Sequence, residues 1–114
     1  MLFDWSKPVA SLLSRLQENG YKIFSVNDGE LCRIDQNFSD RTARKMAVDI
    51  ITGVDESAVA VIKNNRIYAI YIVLGNDPDE IVADYTQDEE LERIMEEYSD
   101  YWCDKKCPMI EEAE

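Results

Sequence analysis

Hydrophobic positions along the chain follow two alternating periods. Val9, Leu12, Leu13 and Leu16 recur at helical spacing on one stripe. Ser6 stands before them as an N-cap, Pro8 is tolerated in a first turn, and Asn19-Gly20 supplies a left-handed stop, so a helix is predicted over about 7–19. Trp5 and Tyr21 bracket this helix and are expected to pack against it. The period then shortens to two. Tyr21, Ile23 and Ser25 share one strand face, and Lys22, Phe24 and Val26 the other. Asp28-Gly29 is a tight-turn dipeptide, and residues 30–34 form a short, mixed strand suited to a sheet edge. Helical spacing returns behind Ser39. Ala43, Met46, Ala47, Ile50 and Ile51 fall on one side of a helix over about 40–52, closed by Gly53, with Arg41, Arg44 and Lys45 opposite.

The segment 57–75, SAVAVIKNNRIYAIYIVLG, holds two apolar runs around Asn64-Asn65. Asn tolerates positive φ, so the pair predicts a hairpin with a two-residue type I′ turn. The second run, Ile67 to Leu74, has no charge and is expected at the centre of the fold, covered on both faces by helices. A turn follows at Gly75-Asn76-Asp77-Pro78-Asp79. Residues 80–85 alternate again as a strand, with Ile81, Ala83 and Tyr85 on one face and Val82 and Asp84 on the other. Thr86-Gln87-Asp88-Glu89 has the form of a capping box. Behind it Leu91, Ile94, Met95, Tyr98, Tyr101 and Trp102 make an apolar stripe, opposed by Asp88, Glu89, Glu92, Glu96 and Asp100 and flanked by Glu90 and Glu97. The predicted order is α-β-β-α-β-β-β-α. It describes one α+β domain over 1–114, with a largely antiparallel sheet of about five strands, three helices and an acidic tail at 103–114.

Composition removes several kinds of chemistry. Apolar content of 46% with 32% charged residues is that of a globular chain. The longest apolar run is eight residues, against roughly 20 for a membrane-spanning helix. The start MLFDWSKP has no basic segment leading into a long apolar one, so a cytoplasmic location is expected. Three cysteines, Cys32, Cys103 and Cys107, then imply reduced thiols. The chain has no histidine, which takes away the commonest general base and zinc ligand. Cys103-x-x-x-Cys107 lacks the two-residue spacing of a redox pair and has only Cys32 as a further thiol, so no metal and no cofactor is expected. Asn76, Asp77, Asp79 and Glu80 cluster oxygens without the EF-hand order and are read as turn formers. With no phosphate loop and no nucleophile–base pair, the chain is expected not to be an enzyme.

Charge gives the functional clue. Residues 1–75 balance nine acids with nine Lys/Arg, whereas residues 76–114 hold fifteen acids against Arg93, Lys105 and Lys106. The whole net charge of −12 therefore lies in the last third. Such a surface repels nucleic acid and anionic membrane and favours a basic protein surface. Asp88 to Asp100 spans roughly 18 Å of helix, a length over which one DNA strand places about five phosphates, and the acidic side carries a similar number of carboxylates. The expected partner-binding residues are Asp88, Glu89, Glu92, Glu96, Glu97 and Asp100, extended by Asp77, Asp79 and Glu80. Tyr98, Tyr101 and Trp102 are expected to be core.

In size and charge the chain is similar to small phage or mobile-element inhibitors of bacterial defence systems, and to immunity proteins that neutralise nuclease toxins. The similarity is of composition and carries no motif. The expected function is a small acidic inhibitor, monomer or homodimer, that occupies a basic, nucleic-acid-binding surface of a larger partner such as a nuclease. The alternative is a non-catalytic structural or adaptor module. It would self-associate through the basic second helix against a neighbour's acidic helix, or through the hairpin edge. Within one molecule, the same basic helix is a candidate partner for the acidic third.

Overall fold

The computed structural model of the chain describes residues 4–75 and 77–113, and the side chains of those up to Cys103. Asn64 and Asn65 take φ of 53° and 64°, the left-handed pair that a type I′ turn requires. They join β3 (Glu56–Lys63) to β4 (Arg66–Val73) in uninterrupted antiparallel register from Lys63↔Arg66 to Glu56↔Val73. Around this hairpin stand α1 (Ser6–Glu18), β1 (Lys22–Asn27), β2 (Leu31–Arg33), α2 (Asp40–Ile51), a 3₁₀ turn at Pro78–Glu80, β5 (Val82–Tyr85) and α3 (Glu89–Ala113). The sheet order is β2-β1-β3-β4-β5, antiparallel throughout. The element order and the α+β class match the pattern of the sequence.

Both hairpin strands are therefore interior, and the sheet's edges are β2 and β5. Pairing across a dimer through the hairpin edge would have only the Arg66, Ile67 and Tyr68 end of β4, beyond the reach of β5, to use. A second expectation is also corrected. The charge-free run that begins at Ile67 is not covered on both faces. Ile70 and Ile72 are fully buried, while Ile67 and Tyr71 on the opposite face of the same strand are 56% and 51% exposed. The buried residues of all three helices form one cluster with Ile23 and Val26 of β1, Val59 and Val61 of β3, and Ile70 and Ile72 of β4. The helices thus form one layer on one side of the sheet. The other side stays open because its central positions, Ala58, Ala60 and Ala69, are small and have little apolar surface to hide.

Two bulges break the expected alternation. Ile23 pairs with Val61 and Ser25 with Ala60, so Phe24 is the extra residue and both Ile23 and Val26 reach the core. Tyr71 pairs with Asp84 and Ile72 with Val82, which leaves Ala83 unmatched. As a result Ile81 is buried, Tyr85 packs against the core, and Ala83 and Asp84 are exposed. The expected strand over 80–85 begins only at Val82, because Pro78–Glu80 coils as a 3₁₀ turn.

Helix ends differ in detail. Ser39 caps α2 as expected, its hydroxyl accepting from the Thr42 amide at 3.2 Å. α1 closes in a Schellman arrangement: Gly20 has φ 92°, and the Tyr21 amide donates to the Leu16 carbonyl at 3.0 Å. Ser6, however, is the first helical residue and not the cap, and it is the Asp4 carboxylate that accepts from its amide. α2 ends at Thr52 without a left-handed glycine at Gly53. The expected capping box is replaced by Asp88, whose Oδ2 accepts from the amides of Glu90 and Leu91 at 3.1 and 3.2 Å. Thr86 is used by the sheet instead, its Oγ1 accepting from the Ala69 amide. α3 also runs on through 103–113, past Pro108, where a tail loop is expected. No helix among the described residues is long and apolar enough to cross a membrane.

Candidate functional site

α3 lies on the core through Leu91, Ile94, Met95, Tyr98 and Trp102, all buried. Tyr101, expected with them, is exposed, with the Arg15 guanidinium 5.2 Å from its ring centre. The helix is held in place by two polar anchors. At one end the Tyr98 hydroxyl donates to the Pro78 carbonyl at 2.6 Å, pinning the 3₁₀ turn to the helix. At the other, Glu90 accepts from Lys63 Nζ at 2.6 Å and from the Tyr21 hydroxyl at 2.9 Å. Lys63 also donates to the Asn19 carbonyl and sits 4.9 Å from the Tyr21 ring centre. Hydrogen bonds from Lys63 and then Tyr21 hold the Glu90 carboxyl below the usual range. Burial, with Glu90 next, pushes the Tyr21 phenol up.

These contacts sort the expected partner-binding residues. Asp88 is committed to the helix cap, and Glu97 Oε2 accepts from Arg93 Nη1 at 3.0 Å. Neither is a free charge for a partner. Glu89, Glu92, Glu96 and Asp100 remain exposed on the outer side of α3. Four carboxylates over roughly 16 Å are a thinner row than a phosphate strand. The shortfall is met from elsewhere in the chain. The carboxylate oxygens of Asp77, Asp79 and Glu80 lie within 4.8 Å of one another at the 3₁₀ turn. That turn packs on α3, so Asp79 and Glu96 line the same concavity of about 200 Å³, together with Tyr85, Tyr98 and Ser99. Asn76, grouped with these acids on sequence, lies outside the described residues.

One member of the surface escaped the sequence pattern. Tyr85 rests between the acids: burial, then the charges of Glu92, Glu96 and Asp84, push its phenol up. Asp84 next to it pairs with the exposed Tyr71 and lies on the other face of the sheet. The bulge at Ala83 hides Tyr85 from a period-two reading. The Tyr98 phenol is likewise pushed up, first by burial and then by the charge of Asp79.

The basic helix does not meet this surface. Lys7, Arg41, Arg44 and Lys45 line a separate concavity of about 350 Å³ between α1 and α2, with Asp49 as the one acid, and Arg44 Nη1 donates to Gln17 Oε1 at 2.7 Å. Within the molecule, the cations that meet α3's acids among the described residues are Lys63 and Arg93. Cys32 is partly buried and Cys103 exposed. The Cys107 side chain lies outside the described residues. Comparison with known protein families, characterised proteins and solved structures returns no match.

Proposed function

We propose that the protein is a small, non-catalytic inhibitor, of the anti-defence or immunity type, acting in the cytoplasm. Its acidic surface occupies a basic, nucleic-acid-binding site on a larger protein such as a nuclease. One observation carries this reading: Asp79 of the 3₁₀ turn and Glu96 of α3, far apart in sequence, share one concavity. Acids from two elements thereby join into a surface broader than a single helix row. Glu89, Glu92, Glu96 and Asp100 supply the row, Asp77, Asp79 and Glu80 its extension, and Tyr85 an aromatic contact within it. Buried anchors hold α3 and the turn together, so the carboxylates are presented without an ordering cost at binding. Electrostatic steering makes such association fast and salt-sensitive. The surface repels nucleic acid itself, so the partner is a protein.

The test is capture from the source cell with wild type beside a Glu92→Gln, Glu96→Gln, Asp100→Asn variant. The expected result is a nuclease or nucleic-acid-binding protein recovered by wild type alone, released by rising salt and displaced by double-stranded DNA. Equal recovery by both proteins removes the role assigned to this face.

A further inference from the structure

Acids outnumber bases 24 to 12 in the chain, yet one hollow reverses that sign. It lies between α1 and α2, has a volume of about 350 Å³, and takes Lys7 from α1 and Arg41, Arg44 and Lys45 from α2. The α2 cations recur at three- and four-residue spacing, which sets them on one stripe with the buried Val48. The two helices run antiparallel. Gln17 near the end of α1 donates to the Asp40 carbonyl at the start of α2 at 2.8 Å, whereas Ser6 and Lys7 at the start of α1 share the hollow with Val48 and Asp49. Arg44 Nη1 donates to Gln17 Oε1, a neutral acceptor that positions the guanidinium without cancelling its charge. Every ion pair among the described residues involves Lys63 or Arg93, so none of the four cations has a carboxylate oxygen within 4.0 Å there. Three acids stand close. Asp49 is in the lining and Asp40 precedes Arg41. Asp4 accepts from the Ser6 hydroxyl and amide, which hold its carboxyl below the usual range, with the Lys7 charge a smaller cause. Four cations against these three acids still leave positive charge in excess. Repulsion within the α2 stripe costs a few tenths of a kcal/mol per pair, which a bound anion would relieve.

We infer that this hollow binds a compact phosphorylated small molecule, with more than one phosphate group and an organic part, of the class of a nucleoside diphosphate. Arg41 and Arg44 offer planar forks that take phosphate oxygens in pairs, and Lys7 and Lys45 add point charges. Small-molecule sites run from roughly 300 to 1,000 Å³, so this one suits a mononucleotide rather than a larger cofactor. Ala10 and Val48 give the organic part an apolar floor, and Asp49 accepts from its hydroxyl or amino groups. A long polyanion is disfavoured. DNA or an anionic bilayer extends past the hollow and meets the acids that give the chain its net charge of −12. An acidic peptide spreads single charges along a backbone and places fewer of them in this volume than a diphosphate does. The site is separate from the acidic surface of α3 and does not depend on its role.

Calorimetric titration of the full chain with ADP at about 0.05 M salt tests the site. ADP is expected to bind one to one, inorganic pyrophosphate about tenfold more weakly for want of the organic part, and adenosine not at all. Arg41→Gln with Lys45→Gln is expected to weaken ADP binding about tenfold or more while leaving the circular dichroism unchanged, because both side chains are exposed. If that double variant fails to fold, Lys7→Gln on the other helix is used. Asp49→Ala should narrow the gap between ADP and pyrophosphate, since it removes the acceptor and keeps the cations. Absence of ADP binding at about 1 mM overturns the inference. So does binding indifferent to the cation variants, pyrophosphate bound as tightly as ADP, or an Asp49→Ala variant that leaves their gap unchanged. Preference for a single DNA strand, phosphatidylserine vesicles or an oligoglutamate peptide over ADP also overturns it. Every variant keeps the acids of α3 and no partner protein enters the test, so its failure is separate from any failure of the acidic-surface reading.

Discussion

Glu90 shows how one side chain can be removed from a surface by its neighbours. Its spacing puts it beside the acidic row, but the fold turns it to Lys63 at the end of β3 and to Tyr21 after α1. Because these donors lower its pKa in the folded state, the unfolded chain takes up the proton first as pH falls. The stabilisation from Glu90 is therefore full above about pH 4.3 and is lost as pH drops through the folded value. The carboxylate is about one-third exposed, which screens the pair. Glu90→Gln is expected to cost roughly 1 kcal/mol near neutral pH. The gap between variant and wild type should close in acid, as urea midpoints at about pH 7 and about pH 3.5 would show. A gap that persists unchanged in acid would mean the ion pair is not its source.

At the scale of elements, α3 and the 3₁₀ turn act as one unit. Like-charge pairs such as Glu92–Glu96 and Glu96–Asp100 each cost a few tenths of a kcal/mol. Packing of Leu91, Ile94 and Tyr98 offsets this, at roughly 1.5–3 kcal/mol for each full burial of a large apolar side chain. The Tyr98 hydroxyl is the link between the two elements. Tyr98→Phe keeps the ring but leaves the buried Pro78 carbonyl without this donor. The expected loss is about 1–2 kcal/mol by urea denaturation. Amide exchange should rise locally around residues 77–81, and the three carboxylates there would lose their fixed position beside Glu96.

The whole molecule is electrically two-sided. Carboxylates of α3 and the 3₁₀ turn form one surface, and Lys7, Arg41, Arg44 and Lys45 gather in the α1–α2 concavity. A net charge of −12 makes the folded state repel itself. Raising ionic strength from about 0.01 M to about 0.15 M shortens the screening length from about 30 Å to about 8 Å. Thermal unfolding should therefore shift upward with salt, while binding to a basic partner weakens. A melting temperature that falls with salt would show that native ion pairs, such as Lys63–Glu90, outweigh the repulsion.

What the sequence determined by itself is local. Apolar spacing of three to four or of two marked all eight helices and strands in order, and Asn64-Asn65 and Ser39 marked a turn and a cap, because each acts within a few residues. The acidic character of α3's outer side was equally plain. The tertiary structure alone decided that Glu90 is claimed, since only folding brings Lys63 and Tyr21 to it, whereas Asp88 and Glu97 are engaged by groups within four residues of them. It also decided that one sheet face stays bare. A period of two reports which positions alternate, not whether another layer exists to cover them, and it fails at the extra residues Phe24 and Ala83. The meeting of Asp79 with Glu96 has the same origin: it depends on distance through space, set by a buried tyrosine holding a turn against a helix.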